Sequence, residues 1–215
     1  MKRIVVLASG SGTNLQAIID AAENRQFAGD VVGVITNVPE AKCLERAAKH
    51  GIATACIDHK AYPSREEFEA DLGEAVDGFA PDIIVLAGFM RILTPVFVDK
   101  YLGKLINIHP SLLPKYPGLN THQRAIDSGD DEAGATVHFV TAELDGGPPI
   151  IQGRTGIAEN MTASELASEI LYSVEHHIFP KAIDWLCDNR LRYADGKALL
   201  DNTIIGESGV QWEKA

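Results

Sequence analysis

The sequence predicts an α/β fold: a doubly wound, mostly parallel sheet with antiparallel edge strands in its second half. Apolar β-branched runs alternate with segments of helical periodicity through the first half, which indicates βαβ units joined by right-handed crossovers. These runs are apolar at consecutive positions, as expected for strands buried on both faces of a parallel sheet. Residues 135–141 instead alternate between polar and apolar side chains, a pattern typical of an antiparallel or edge strand.

Strands and helices follow one another along the first half. The predicted strands are 4–8, 31–37, 54–57, 82–87 and 105–109, and the predicted helices are 15–22, 40–50 and 64–79. Gly51 ends the second helix, and Ser64 with Glu67 has the spacing of a capping box at the start of the third. Pro81 ends that helix, and Pro110 ends the fifth strand.

The second half is less regular. Residues 109–122 are rich in Pro and Gly, and 150–157 is predicted to pair with the alternating strand. Thr162 and Glu165 form another capping-box pattern, which opens a long helix with apolar residues through Ile178. Pro180 is expected to kink or break this helix before Trp185. The tail from residue 191 is predicted to form short peripheral strands, and no linker or repeat separates a second domain.

Composition excludes several classes of function. The chain has 215 residues, of which 46% are hydrophobic and 23% charged, which is ordinary for a globular domain. It carries 19 basic and 30 acidic residues, a net charge of −11, so broad nucleic-acid binding is disfavoured while a local site for a small anion is allowed. The apolar run at the N-terminus is too short for a signal peptide or a membrane span.

Cysteine and histidine spacing predicts neither disulfides nor a metal site. Cys43, Cys56 and Cys187 are far apart and form no CxxC pair, which fits free thiols in a reducing cytoplasm. His176 and His177 are adjacent rather than spaced as in HExxH, so we expect no metal.

A glycine-rich loop, Gly10-Ser11-Gly12-Thr13-Asn14, follows the first strand. In open α/β sheets such a loop brings backbone N–H groups at a helix start to a phosphate. It lacks both the third glycine of dinucleotide sites and the lysine of a P-loop, so NAD and ATP are disfavoured. Two interpretations remain: a single phosphate held by Gly12, Thr13 and Asn14, or a tight turn with no ligand.

Asn107 and His109 lie two residues apart at the carboxyl end of the fifth strand, so their side chains share one face. Active sites of open α/β sheets lie at that end. An amide and an imidazole can both donate to an oxyanion, and the imidazole can also move a proton. A carboxylate would hold the imidazole in its charged form, and Asp145 sits in a glycine-rich loop that could supply it. The alternative is a capping asparagine and a hydrogen-bonded core histidine.

Four other polar residues have structural interpretations by default. His138, on the alternating strand, is interpreted as structural, and Glu175 as a surface residue of the long helix. Arg65 begins a helix and Arg91 follows the fourth strand, where arginines are often solvated.

Four stretches form a combined motif. They are 9–18 (SGSGTNLQAI), 85–93 (VLAGFMRIL), 107–118 (NIHPSLLPKYPG) and 137–140 (VHFV) continued by 145–148 (DGGP). Together they resemble the phosphoribosylglycinamide formyltransferase family, the folate-dependent enzymes of purine synthesis. The motifs occur in the family's order and span nearly the whole chain, and the first loop narrows the resemblance to the glycinamide ribonucleotide branch.

The resemblance implies transfer of a formyl group from 10-formyltetrahydrofolate to the amine of 5′-phosphoribosylglycinamide. Gly12, Thr13 and Asn14 would hold the phosphate, and Glu175 would contact the same substrate and favour its cationic amine.

For the reaction itself, the resemblance implies a catalytic trio of Asn107, His109 and Asp145. Asn107 and His109 would stabilise the tetrahedral intermediate, and Asp145 would hold His109 protonated. The substrate amine is itself the nucleophile, so the protein supplies position and charge stabilisation.

The resemblance also implies a set of residues that receive the formyl folate. They are Arg65, Met90, Arg91, Ile92, Leu93, Asn107, Thr141, Ala142, Glu143, Leu144 and Asp145. The expected organisation is one formyltransferase domain, 1–215, with a phosphate-binding half (1–100), a catalytic and folate half (101–190) and a peripheral tail (191–215). We expect small-molecule partners, no nucleic acid or membrane, and a monomer or weak homodimer.

Two features depart from the family pattern. Asn120 stands where some members have histidine, so we assign it no catalytic role. Pro148-Pro149 and residues 153–156 are atypical, which leaves the loop shape after Asp145 open.

Three other functions compete. Formyltetrahydrofolate deformylase has a similar Asn-His-Asp core but usually an extra N-terminal regulatory domain, whereas this chain begins at strand one. Methionyl-tRNA formyltransferase also resembles the core, but it carries a further C-terminal RNA-binding domain. A non-catalytic phosphosugar-binding module would use the glycine loop alone.

Overall fold

A computed structural model describes residues 1–213 and confirms the α/β prediction. The strands are β1 (Lys2–Leu7), β2 (Gly29–Thr36), β3 (Thr54–Cys56), β4 (Ile83–Leu86), β5 (Leu105–His109), β6 (Glu132–Phe139), β7 (Pro149–Gly156), β8 (Leu191–Ala194), β9 (Lys197–Leu200), β10 (Thr203–Ile204) and β11 (Val210–Trp212). An eight-stranded sheet has the order β11-β7-β6-β5-β4-β1-β2-β3, and β10-β9-β8 form a small second sheet.

Helices cover both faces of the large sheet. They are α1 (Thr13–Glu23), α2 (Lys42–Lys49), α3 (Arg65–Gly78), α4 (Pro95–Lys100), α5 (Thr121–Asp127), α6 (Ala163–Ile170) and α7 (His176–Cys187), with a 3₁₀ turn at His59–Ala61 and a π-helical turn, Leu171–Glu175, between α6 and α7. No helix within residues 1–213 has the length and apolar composition needed to cross a membrane.

Strand direction determines where loops meet. The strands β3, β2, β1, β4 and β5 are parallel, whereas β6 is antiparallel to both β5 and β7. Strand order reverses at β1 and β4, which is the switch point where ligands bind in such sheets. The glycine loop after β1, the turn after β4 and His109 at the end of β5 therefore share one edge of the sheet.

The core has two layers because alternate residues of each central strand face opposite sides. Ile4 and Val6 of β1 pack in the layer that contains α1 and α7, whereas Val5 and Leu7 pack in the layer that contains α3 and α4. All four side chains are fully buried, as the sequence predicts for a strand covered on both faces.

The predicted caps are present. Ser64 accepts a hydrogen bond from the Glu67 N–H, and Thr162 with Glu165 forms the complete capping box. The antiparallel pairing of β6 with β7 also agrees with the prediction.

The predicted break at Pro180 is wrong. Pro180 lies inside α7, which continues to Cys187. The irregular part of the long helix is the π-helical turn Leu171–Glu175, which directly precedes α7.

Two helices, α4 and α5, were not predicted. The tail forms short strands as predicted, but one of them, β11, extends the large sheet parallel to β7. The other tail strands are peripheral as expected, and Lys214 and Ala215 of the predicted 191–215 tail lie outside the described residues.

Candidate active site

The three residues predicted to form a catalytic trio converge at the carboxyl end of β5. The Nδ1 atom of His109 lies 3.5 Å from Oδ2 of Asp145, and these side chains are only 7% and 9% exposed. Asn107 joins them through His138, whose Nε2 is 3.2 Å from the Asn107 amide nitrogen and 3.9 Å from Oδ1 of Asp145. Amide, imidazole and carboxylate therefore surround one small region.

A backbone carbonyl determines which nitrogen of His109 is free to react. Nε2 is 2.8 Å from the carbonyl oxygen of Tyr116, and a carbonyl only accepts, so Nε2 carries a proton in either charge state. Nδ1 is left facing Asp145, and the imidazolium form presents an N–H there. At 3.5 Å this N–H is also available to a third group between the two side chains.

The loop that carries Asp145 starts near the amino end of β5 and folds back to the carboxyl end of that strand. Phe139, at the end of β6, pairs with Ile106 near the start of β5, so the chain must return to bring Asp145 beside His109. Asp145 adopts a left-handed backbone (φ 51°), and its Oδ2 accepts a hydrogen bond from the Gly118 N–H at 2.8 Å. The loop from 110 to 120 thus holds both the acid and the imidazole.

His138 is a neutral member of this cluster. Burial lowers its pKa to about 4, and its Nδ1 donates to the Phe139 carbonyl at 2.9 Å. Nε2 therefore accepts from the Asn107 amide, which orients that amide with its nitrogen inward. From the sequence, His138 was interpreted as a structural residue. The strand register pairs Asn107 with His138, and knowledge of this register would have placed His138 beside the Asn107 amide.

The glycine loop has the backbone geometry of an anion site. Gly12 adopts φ 70° directly before α1 and makes no side-chain cap, so no side chain covers the first N–H groups of the helix. Arg46, which sequence analysis did not identify, lies against this loop. Its Nε donates to the Ser11 carbonyl at 2.7 Å, and its Nη1 donates to Gln16 Oε1 at 3.3 Å.

Asn14 and Glu175 form a buried pair beside the loop. The Asn14 amide donates to Glu175 Oε2 at 2.6 Å, while Asn14 Oδ1 is buried without a partner. Glu175 is 7% exposed, so its interpretation as a surface residue is wrong. Burial raises the pKa of Glu175, and the hydrogen bond from Asn14 offsets part of this rise.

Glu175→Gln is expected to stabilise the fold. The raised pKa means that folded Glu175 binds its proton more tightly than unfolded Glu175, so the contribution of Glu175 to stability falls as pH rises above 4.5. Glutamine does not titrate and keeps an oxygen for Asn14. The variant should melt at a higher temperature than wild type at pH 7.5, with the difference vanishing near pH 4. A lower melting temperature at pH 7.5 would contradict this.

The residues predicted to receive the folate are less enclosed. In the turn after β4, Met90 and Ile92 are 64% and 57% exposed, whereas Leu93 is buried and Arg91 half-buried. Arg65 is the exposed first residue of α3. In the 141–145 loop, Thr141 is half-buried and Ala142, Glu143 and Leu144 are exposed.

The two departures from the family pattern have simple local structures. Asn120 is exposed, adopts φ 58° and precedes α5 without a side-chain cap. After Asp145, the Phe139 N–H donates to the Pro148 carbonyl and Pro149 begins β7, so the prolines lie at the entry to this strand, where its pairing with β6 shifts register between Val137 and His138. Within residues 1–213, no group of three or more His, Cys, Asp or Glu side chains is arranged to hold a metal ion.

The fold and the site define a class of α/β enzyme in which a glycine-rich loop and an amide–imidazole–carboxylate cluster lie at the same end of the parallel strands. Comparison with known proteins is consistent with this class: a family model described as formyl transferase matches residues 2–183. The chain belongs to the formyl transferase family.

Individual relatives are similar over almost the whole chain. Phosphoribosylglycinamide formyltransferase from Escherichia coli K12 is 48% identical over 206 residues, covering 96% of this chain and 97% of that protein. The Haemophilus influenzae enzyme of the same name is 44% identical over 209 residues, covering 97% and 98%. A structure of phosphoribosylglycinamide formyltransferase from Coxiella burnetii in complex with CHES superposes with a TM-score of 0.94 at 45% identity, covering 99% of each chain.

Proposed function

We propose that this chain transfers the formyl group of 10-formyltetrahydrofolate to the amine of 5′-phosphoribosylglycinamide, a step of purine biosynthesis. The observation that carries the proposal is the convergence of Asn107, His109 and Asp145 at the carboxyl end of β5, at the same end of the parallel strands as the glycine loop. The relatives from Escherichia coli and Haemophilus influenzae are phosphoribosylglycinamide formyltransferases, which supports the same reaction.

The side chains account for the chemistry. The substrate amine attacks the formyl carbon, and negative charge develops on the formyl oxygen. In this proposal the Asn107 amide, which lies against His138, and the Nδ1–H of His109, which faces Asp145, donate to that oxygen. The C–N10 bond then breaks, and the proton lost by the amine passes to N10. Asp145 stabilises the imidazolium through this step.

The anion loop orients the ribonucleotide. We assign its phosphate to the backbone of Gly12, Thr13 and Asn14, with Arg46 adding positive charge in a chain of net charge −11. Glu175 and the unpartnered oxygen of Asn14 are both hydrogen-bond acceptors, which suits the hydroxyl or amine groups of the same substrate.

The folate is assigned to the far side of the cluster. Arg65, the turn 90–93, Asn107 and the loop 141–145 would receive it, with backbone groups reading the pterin edge. We also propose that the chain acts as one domain, as a monomer or weak homodimer in the cytoplasm, where its three free cysteines remain reduced.

A two-substrate assay tests the function. Tetrahydrofolate should form from 10-formyltetrahydrofolate only when 5′-phosphoribosylglycinamide is added, because the acceptor amine is the nucleophile. Equal rates without the acceptor would indicate the deformylase. Binding of the ribonucleotide with no turnover in either condition would indicate a phosphosugar-binding module.

A further inference from the structure

The turn that joins β4 to α4 is exposed yet fixed at both ends by side chains from other elements. Residues 88–94 contain no helix or strand, and Met90 and Ile92 project into solvent. A turn of this kind, without regular backbone pairing, samples several conformations unless side chains restrain it.

Ser9 forms the first anchor. Its hydroxyl accepts a hydrogen bond from the Met90 N–H at 2.7 Å and donates to Asn37 Oδ1 at 2.5 Å. Its own N–H donates to the Gly88 carbonyl at 3.1 Å. Asn37 is 2% exposed at the end of β2, so the hydroxyl links the turn to the ends of two neighbouring strands.

Glu69 forms the second anchor. This carboxylate is 6% exposed on α3, and it accepts hydrogen bonds from both the N–H (2.8 Å) and the hydroxyl of Thr94. Hydrogen bonds to an ionised acceptor are stronger than those between neutral groups. The same helix begins with Arg65, so α3 connects the distal end of the turn with another residue assigned to the folate.

We propose that Ser9 and Glu69 are positioning residues that hold the turn 90–93 in the shape that receives the folate. The inference rests on the proposed function, since it concerns how that site is kept ready. Backbone groups that read a flat heterocycle must be placed within a fraction of an ångström, and ordering a loose turn on binding would weaken affinity. The two anchors supply that order before the folate arrives.

The test compares affinities for the two substrates in Ser9→Ala and Thr94→Val. Ser9→Ala removes both hydrogen bonds of the Ser9 hydroxyl. Thr94→Val removes the bond to Glu69 and the one that the hydroxyl accepts from the Phe97 N–H at the start of α4. Each variant should raise the KM for 10-formyltetrahydrofolate about five-fold. The Kd for tetrahydrofolate, measured by calorimetry, should rise equally, while the KM for 5′-phosphoribosylglycinamide stays within about two-fold. Thr94→Ser retains the hydroxyl and should restore folate affinity. Ser168→Ala removes a hydroxyl that donates to the Ser164 carbonyl on an exposed helix and serves as the matched control.

The possible outcomes distinguish a failure of the positioning role from a failure of the proposed function. Wild type without acceptor-dependent formyl transfer would overturn the proposed function itself. Active wild type with unchanged folate constants in Ser9→Ala and Thr94→Val would overturn only the positioning role. Equal rises in both KM values, with a lowered melting temperature, would also overturn it, because they would indicate a general structural defect.

Discussion

Asp145→Asn is expected to lower kcat by roughly 10²- to 10³-fold, comparable with loss of one preorganised oxyanion donor. Asparagine has nearly the same shape, and its oxygen can still accept from the Gly118 N–H, so the loop should keep its position. What disappears is the negative charge 3.5 Å from Nδ1 of His109, and with it the stabilisation of the imidazolium. Steady-state rates with both substrates saturating measure this effect.

The control for Asp145→Asn is Asp201→Asn. Asp201 is an exposed carboxylate paired with Arg190 on the peripheral sheet, so its amide variant should retain full kcat. Melting temperatures of both variants should stay within a few degrees of wild type. Full activity in Asp145→Asn would remove this carboxylate from the mechanism, and a large loss of melting temperature would assign it a role in folding instead.

Local spacing was enough to predict part of the cluster. Asn107 and His109 share a face because they are two residues apart on one strand, and that relation survives any tertiary arrangement. The glycine-rich sequence around Asp145, together with the family resemblance, predicted that Asp145 supplies a carboxylate to His109. The position of this carboxylate depends on a loop that folds back across the end of the sheet, which no local pattern specifies.

Residues that depend on packing were missed. His138 is brought opposite Asn107 by the antiparallel register of β5 and β6, and register is a property of two strands rather than one. Arg46 reaches the glycine loop only because α2 packs against it, where the Cys43 N–H donates to the Gly10 carbonyl.

Glu175 illustrates how a change of helical period misleads sequence analysis. An ideal helix with Val174 buried turns the next residue away by about 100°. The π-helical turn disturbs this relation, and three consecutive residues, Ser173, Val174 and Glu175, are buried. Such turns occur often at functional sites, but their position cannot be read from hydrophobic spacing alone.

Gly12→Ala is expected to raise the KM for 5′-phosphoribosylglycinamide at least ten-fold and to destabilise the fold by about 1–3 kcal/mol. Gly12 has φ 70°, which disfavours any side chain. A Cβ there would lie 2.9 Å from Cβ and 3.0 Å from Cα of Cys43, so either the loop or α2 must move. Moving the loop displaces the N–H groups assigned to the phosphate, while the KM for the folate should change less.

Gly51→Ala is the control that separates the cost of backbone strain from the effect of displacing the glycine loop. Gly51 has a similar φ of 66°, yet an added Cβ would have no atom within 4 Å. Its variant should lose about 1 kcal/mol of stability from the backbone alone and retain the wild-type KM for the ribonucleotide. The difference between the two variants then measures the close contact with Cys43. An unchanged ribonucleotide KM in Gly12→Ala would contradict this prediction, because a displaced loop should hold the phosphate assigned to it less tightly.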